Sequence, residues 1–455
     1  MKSLFVIILV VINTYNVFSQ SDEKILANIY QMTLKNSPIY ENLRYLTKKI
    51  GNRINGSPQL AAAIEFTRQL MIEYQFDSVY LQPVMVPNWT REKNEIVKII
   101  NSPSLGNQSL NCIALGNSIG TGDEGLVGEV IEINGMDELK KTDKNLVNGK
   151  IVFLNQTLDN SLINILEGYS KVFNQRTLGA SQASIKGAKA VIIRSITTGI
   201  DDSPHTGNIF YEDGVKKIPA VTISTKDADM LSKHLKREPK TTIYLELHCR
   251  TLANVLSYNV IGEIKGNQFP DEIILVGGHI DSWDVGEGAH DDGAGCLQAV
   301  EVLRSIKVLN IQPKHTLRVV LWVDEENSVS GGKAYAEKCQ QNKSKNIAAL
   351  ESDFGGFLPI GFYIDTDNEV ALSKIISWKR YFEPYQIFQF SKGDAGVDVY
   401  PLKNDGILLM GLMTNLQRYS TLHHSDKDVF EEVDKRELEL GAATMTSMVY
   451  LFDKY

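Results

Sequence analysis

Five short stretches of this chain combine imidazole and carboxylate groups in patterns that could hold a metal ion. The first is Gly277-Gly278-His279-Ile280-Asp281-Ser282-Trp283-Asp284. An imidazole ligates a transition metal through one ring nitrogen, and a carboxylate two residues further along an extended segment points to the same face and can hold the proton on the other nitrogen. His279 therefore reads as a ligand, with Asp281 behind it. The second stretch, Ala289-His290-Asp291-Asp292-Gly293, places two carboxylates at a glycine-rich turn before a helix starting near Cys296. The third, Trp322-Val323-Asp324-Glu325-Glu326, ends an apolar run on three adjacent acids. Such acids repel one another and are costly to bury unless a cation compensates. Glu351-Ser352-Asp353-Phe354-Gly355-Gly356 follows the apolar Ile347 to Leu350, and His423-His424-Ser425 comes last, with Asp428 four residues beyond the second histidine. Taken singly, each reads as a solvated loop or a helix cap. Together, all after apolar strand-like runs, they point to a metal centre.

Side chains so far apart in sequence need a scaffold that gathers them. From Asn254 onward, apolar runs alternate with helical segments, the pattern of an α/β sheet wrapped by helices. Val260 to Ile264 and Ile273 to Val276 read as neighbouring strands, and Leu317 to Val323 as a third, almost wholly apolar as central strands are. Ligands in such sheets collect past the carboxyl ends of the strands, where all five clusters fall. Upstream, apolar spacing over Glu41 to Phe76 predicts two helices broken at Asn55-Gly56-Ser57-Pro58. Residues 110–247 are β-rich, with strands expected at Gly128 to Ile133, Lys150 to Leu154, Ala190 to Ile193 and Ala220 to Ile223. Small residues from Leu178 to Lys189 suggest a close-packed helix leading into one of them.

The chain's 455 residues leave room for two or three domains, on a prior of ~100 to 200 residues each. Hydrophobic residues at 43% and charged residues at 22% exclude disordered and collagen-like classes, and a net charge of -8 argues against nucleic acid as a partner. Met1-Lys2 and the apolar Leu4 to Ile12 read as a signal peptide cut after Ser19; nine apolar residues fall short of the ~20 that span a bilayer. Sequons at Asn88, Asn107, Asn155 and Asn342 agree with a secreted or vesicle-lumen glycoprotein without a membrane span. Cys112, Cys249, Cys296 and Cys339 form no metal-binding pair, and free thiols and disulfides are both compatible with their spacing.

From Asn254 to Ser425 the sequence resembles the secreted co-catalytic di-zinc aminopeptidases, and its Gly-Gly-His-Ile-Asp-Ser-Trp-Asp, Ala-His-Asp-Asp-Gly, Glu351-Ser352-Asp353, Phe357-Leu358-Pro359 and His423-His424 segments are similar to a carboxypeptidase branch of that family. Tyr40-Glu41-Asn42-Leu43 and Gly56-Ser57-Pro58 extend the likeness towards the N-terminus. The resemblance implies a zinc-exopeptidase mixed sheet flanked by helices, interrupted by a protease-associated domain. It divides the chain into 1–19 (signal peptide), 20–37 (propeptide or N-terminal extension), 38–109 (first part of the peptidase domain), 110–247 (inserted domain) and 248–455 (catalytic domain). It implies two Zn2+ per chain, with Asp291 bridging, His279 and Asp353 completing one site, and Glu326 and His424 the other. Glu325 would be the general base and Asp281 would orient His279. His424 is preferred to His423 by its step to Asp428, and Asp291 to Asp292 by its interval from His279. The implied substrates are short peptides, dipeptides with free termini above all, and the implied assembly is a homodimer. His290, Asp324 and Val429 depart from the family pattern. A single-zinc glutaminyl cyclase and a receptor-type homologue without activity are the alternatives.

Overall fold

A computed structural model describes residues 21–93, 95–403 and 407–455. The signal peptide expected at 1–19 lies outside the described residues. Two eight-stranded sheets carry the fold. The first runs in the order Ser78–Arg91, Cys249–Ile264, His315–Trp322, Phe269–His279, Lys345–Glu351, Leu408–Thr414, Pro359–Asp365, Gln389–Lys392. Its four central strands, from His315–Trp322 to Leu408–Thr414, are parallel. That makes them carry their carboxyl ends to a single edge. Apolar side chains on both faces explain the long apolar runs: Leu317, Val319 and Leu321 enter one core layer, and Val320 and Trp322 the other.

Val260–Ile264 and Ile273–Val276 are not neighbours. The His315–Trp322 strand lies between them, antiparallel to the first and parallel to the second. After Phe269–His279, the helix Ala294–Val308 carries the chain across the sheet face and returns the next strand into the gap between the two.

The second sheet, in the order Gly106–Leu110, Ile96–Ser102, Thr242–Glu246, Leu126–Ile133, Ile151–Leu154, Ala190–Arg194, Ala220–Ile223, Cys112–Ala114, contains the four strands expected for the β-rich stretch. It begins at Ile96, so the division at 110 falls inside it: Ile96–Ser102 pairs with Thr242–Glu246, a partner visible only once the chain has returned. This insert hangs from a long antiparallel ribbon in which Ser78–Arg91 leaves the first sheet and Cys249–Ile264 re-enters it. The ribbon's end is tied back to the first metal-type loop, because Arg91 forks onto Asp284 through Nε and Nη2 at 2.8 and 2.6 Å.

The helical N-terminal part comprises Asp22–Asn36, Ile39–Tyr45, a π-turn at Leu46–Ile50, and Pro58–Glu73, the last capped by Ser57, whose hydroxyl accepts from Leu60 N–H. Residues 22–36 pack on the C-terminal helix Lys435–Lys454: Leu26, Ile29 and Tyr30 are buried, and Asp22 accepts hydrogen bonds from Tyr450, Tyr455 and Lys454. All four cysteines are free thiols. No helix among the described residues is long and apolar enough to cross a membrane.

Arg53, from the break between the π-turn and Pro58–Glu73, is fully buried and ties the N-terminal part to the strand-end loops. Its guanidinium donates to the carbonyls of Ile280, Glu287 and Gly288 at 2.8 Å each, and its backbone N–H donates to Ser282 Oγ at 2.9 Å. Arg53→Met keeps the length of the side chain but strips these carbonyls of their donors. It should lower unfolding free energy by roughly 3 kcal/mol or more, read by urea denaturation, since each buried carbonyl left unpaired costs about 1 to 3 kcal/mol.

Candidate active site

Each expected residue leaves the carboxyl edge of a parallel strand. His279 is the last residue of its strand, Glu325 and Glu326 open a short helix after Trp322, Asp353 follows Glu351, and His424 sits in the turn after the Leu408–Thr414 strand and a short helix. Asp291 and Asp292 lie in the turn before Ala294–Val308.

Asp291 is the meeting point. Its Oδ1 lies 3.2 Å from His279 Nε2, and its Oδ2 lies 3.4 Å from His424 Nε2. His279 Nε2 is also 3.2 Å from Asp353 Oδ1, and His424 Nε2 is 3.1 Å from Glu326 Oε2. His423 stacks on His424 and reaches Asp291 Oδ2 at 3.6 Å. Ligand atoms of His279, Asp291 and Glu326 lie within 4.8 Å of one another, as do those of Asp291, His423 and His424, and of His279, Asp292 and Asp353. Glu325 Oε2 stands 4.0 Å from His279 Nε2 at the edge of this cluster.

The surrounding groups hold it in place. Asp281 accepts from the backbone N–H groups of Glu325 and Glu326 at 3.2 and 3.3 Å, while the His279 Nδ1 side faces Asp281, 3.1 Å from its carbonyl and 3.7 Å from its carboxylate. Asp281 thus positions a histidine and a strand-end turn together. Asp292 turns away from Asp291 and accepts from the backbone N–H groups of His279 and Gly295, each at 3.0 Å. Asp428 accepts from the N–H groups of His290 and Asp291 at 2.7 and 3.1 Å. The insert contributes too: His205 Nδ1 donates to His423 O at 2.7 Å, and Thr206 N–H to His424 O at 2.8 Å.

Burial makes this cluster electrically unbalanced. Glu325 and Glu326 are held well above the usual carboxylate range, first by loss of water and then by the charges of neighbouring acids. Asp353 and Asp292 move the same way for the same reasons. Burial would depress the His279 imidazole, but the carboxylates of Asp353, Asp281 and Asp291 outweigh it and hold the ring above its ordinary value. Burial would likewise raise Asp291, and the histidines around it pull it below the usual range instead. Asp291 Oδ2 and Glu326 Oε1 are buried and accept no hydrogen bond among the described residues. A cation between these groups would satisfy both oxygens and compensate the acids.

Two departures from the family pattern point away from the cluster. The His290 ring stacks on Phe357 with centroids 4.1 Å apart and accepts from Gly356 N–H, and burial lowers its pKa to about 4. Asp324 accepts from Ser328 Oγ, Ser330 N–H and Asn55, and burial, with the charge of Asp281 beside it, raises its pKa to about 7. Residues that motif reading passes over also matter here. Arg53 carries no motif and lies two residues before the Asn55-Gly56-Ser57-Pro58 break. Tyr169 and Arg176 come from an amphipathic helix, Ile165–Thr177, with no motif at all. With Phe210, Val329, Phe354 and Tyr419 they line, beside the acids, an open cavity of about 320 Å³.

Against known proteins, the profile of peptidase family M28 matches residues 259–449. Carboxypeptidase Q of Bos taurus is 34% identical over 414 residues, covering 90% of this chain and 84% of that protein. Carboxypeptidase Q of Xenopus laevis is 36% identical over 412 residues, with 90% and 85% covered. The crystal structure of a peptidase M28 precursor from Shewanella amazonensis superposes with a TM-score of 0.90 at 33% identity, covering 95% of this chain and 96% of that one. An aminopeptidase from Aneurinibacillus sp. strain AM-1, at 21% identity and a TM-score of 0.64 over 93% and 95% of the two chains, shares the fold. On the strength of identity held along nearly the whole chain, this protein belongs to peptidase family M28, as a carboxypeptidase Q-like member.

Proposed function

We propose that this zinc metallo-exopeptidase hydrolyses short peptides, dipeptides with free termini above all, at a centre of two zinc ions. Asp291 would bridge the ions, His279 and Asp353 would complete one site, and Glu326 and His424 the other. The observation that carries the reading is the Asp291 carboxylate, one oxygen towards His279 and the other towards His424. The residues suit the metal: imidazole and carboxylate donors, no thiolate, and buried oxygens on Asp291 and Glu326 that lack a hydrogen-bond partner among the described residues. His424 touches both Asp291 and Glu326 whereas His423 approaches Asp291 alone, which supports His424 as the ligand. A single-metal cyclase would leave one of the two ligand pairs, His279 with Asp353 or Glu326 with His424, without a task.

Bound zinc would polarise the scissile carbonyl and make the attacking water acidic enough to lose its proton near neutral pH. Glu325 takes that proton and delivers it to the leaving amine. Its position supports the role: it lines the cavity, and Asp281 fixes its backbone. Asp281 also holds the Nδ1 side of His279, leaving Nε2 free for the metal. Phe210, Val329 and Phe354 give the cavity apolar walls beside the acids. Secretion or delivery to a vesicle lumen, and a homodimeric state, accompany this reading. Among the sequons, Asn107 and Asn342 are exposed and able to carry glycans.

Elemental analysis of the purified enzyme should give close to two zinc ions per chain, and a chelator should abolish dipeptide hydrolysis; one ion in fully active enzyme would contradict the centre. Asp291→Asn should lose metal and activity together, as read by zinc content and turnover. Glu325→Gln, which keeps shape but removes the proton acceptor, should lower kcat by roughly 100 to 10,000-fold with zinc retained. Glu326→Gln should instead weaken metal binding and recover part of its activity in excess zinc. If Glu325→Gln is the variant that loses zinc, the two roles are exchanged.

A further inference from the structure

Beside the metal-type cluster stands a cation that no carboxylate among the described residues neutralises. Arg176, near the end of the Ile165–Thr177 helix, is 5% exposed, and among the described residues no carboxylate lies within 4.0 Å of its guanidinium. Its Nε is buried without a hydrogen-bond partner. Its neighbours are neutral: the Tyr169 hydroxyl, the faces of Phe173 and Tyr169 at 5.2 and 5.7 Å, and His424 Nδ1, 3.4 Å from Nη1. Even the backbone is shaped to it. A Cβ at Gly207 would come within 2.5 Å of Nη1, so only glycine lets the guanidinium lie flat there. The contact with His424 offers no acceptor once that ring serves as a ligand. A neutral imidazole that gives its Nε2 lone pair to a metal carries its proton on Nδ1, which then faces another donor. A buried, unpaired guanidinium is costly, and it is retained where an anionic group arrives to pair with it.

We propose that Arg176 receives the free α-carboxylate of the substrate residue on the leaving side of the scissile bond. This rests on the peptidase reading and names the end of the substrate that is recognised. Reach supports it. One imidazole ring separates the guanidinium from the atoms that meet Asp291 and Glu326. In a peptide, the terminal carboxylate carbon lies roughly 3 to 3.6 Å from the carbonyl carbon one residue before it, and each further residue adds up to about 3.3 to 3.6 Å. A carboxylate paired with Arg176 therefore places the last peptide bond, and no earlier one, at the acids. The guanidinium fork matches a carboxylate in geometry as well as charge. The substrate class that follows is peptides with an unblocked C-terminus losing their last residue, the dipeptide being the shortest.

The test compares three substrates, Ala-Leu, its C-terminal amide and Ala-Glu amide, on zinc-loaded wild type, Arg176→Gln and Arg176→Lys. Wild type should prefer the free acid to the amide by about 10- to 100-fold in kcat/KM, with the larger part in KM. In Arg176→Gln that preference should collapse towards unity, and Arg176→Lys should retain part of it. Because the readout is a ratio within one protein, a partly unfolded variant does not imitate the result, and the wild-type comparison needs no variant at all. Equal hydrolysis of acid and amide by wild type overturns the assignment, as does an undiminished preference in Arg176→Gln. Full restoration of rate by the glutamate side chain of Ala-Glu amide overturns it too, since the guanidinium would then read a side chain. Failure of wild type to cleave any peptide overturns the peptidase reading itself.

Discussion

Everything at the carboxyl edge of the first sheet answers to a single constraint: carboxylates packed together away from water cannot all be charged without compensation. Asp281, Asp291, Asp292, Asp324 and Glu326 are all buried there, with Glu325 and Asp353 beside them. The chain meets the constraint in two ways. Some of these acids are consumed by backbone N–H groups: Asp281 by Glu325 and Glu326, Asp292 by His279 and Gly295. Others, Asp291, Glu326 and Asp353, face imidazoles, and Asp291 and Glu326 each keep a buried oxygen without a hydrogen-bond partner among the described residues. The division of labour accounts for the unlike surroundings of adjacent acids such as Asp291 and Asp292.

The site also depends on parts of the chain far from its motifs. Arg53 reaches from the N-terminal helices into the loops that carry His279 and Asp291, replacing solvent as the donor to their carbonyls. From the other side, the insert holds the His423-His424 turn through His205 and Thr206, and Arg91 pins the ribbon to Asp284 beyond His279. The helix Ile165–Thr177 then roofs the cavity. The insert is therefore part of the wall and scaffold of the site, and the ribbon that suspends it fixes its position relative to the parallel strands.

How much of this is legible in the sequence depends on whether the cause is local. The strand-end clusters are legible because metal ligands are restricted to a few residue types, and because acids that close a buried apolar strand need a cation or a backbone donor to offset their charge. The inserted strands are legible from their composition. Three features are not. The place of His315–Trp322 between Cys249–Ile264 and Phe269–His279 reflects a crossover, and the apolar pattern of a strand carries no address for its neighbour. The pairing of Ile96–Ser102 with Thr242–Glu246 joins segments far apart in the chain. His290 and Asp324 look in sequence like disturbances of the site, yet each side chain points away from it, into contacts with Phe357 and with Asn55, Ser328 and Ser330.

By itself the sequence determined the type of sheet, the β-rich character of the stretch before Asn254 and the inventory of nitrogen and oxygen donors, because hydrophobic periodicity and residue chemistry are properties of short segments. Only the tertiary structure decided which oxygen of Asp291 faces which histidine, which acids are tied up by backbone N–H groups, and that Arg176 is left as a buried cation beside the cluster. Those outcomes depend on distances of a few ångströms between segments far apart in the chain, and on how completely packing removes water from them. Neither quantity is encoded in any one stretch of the chain.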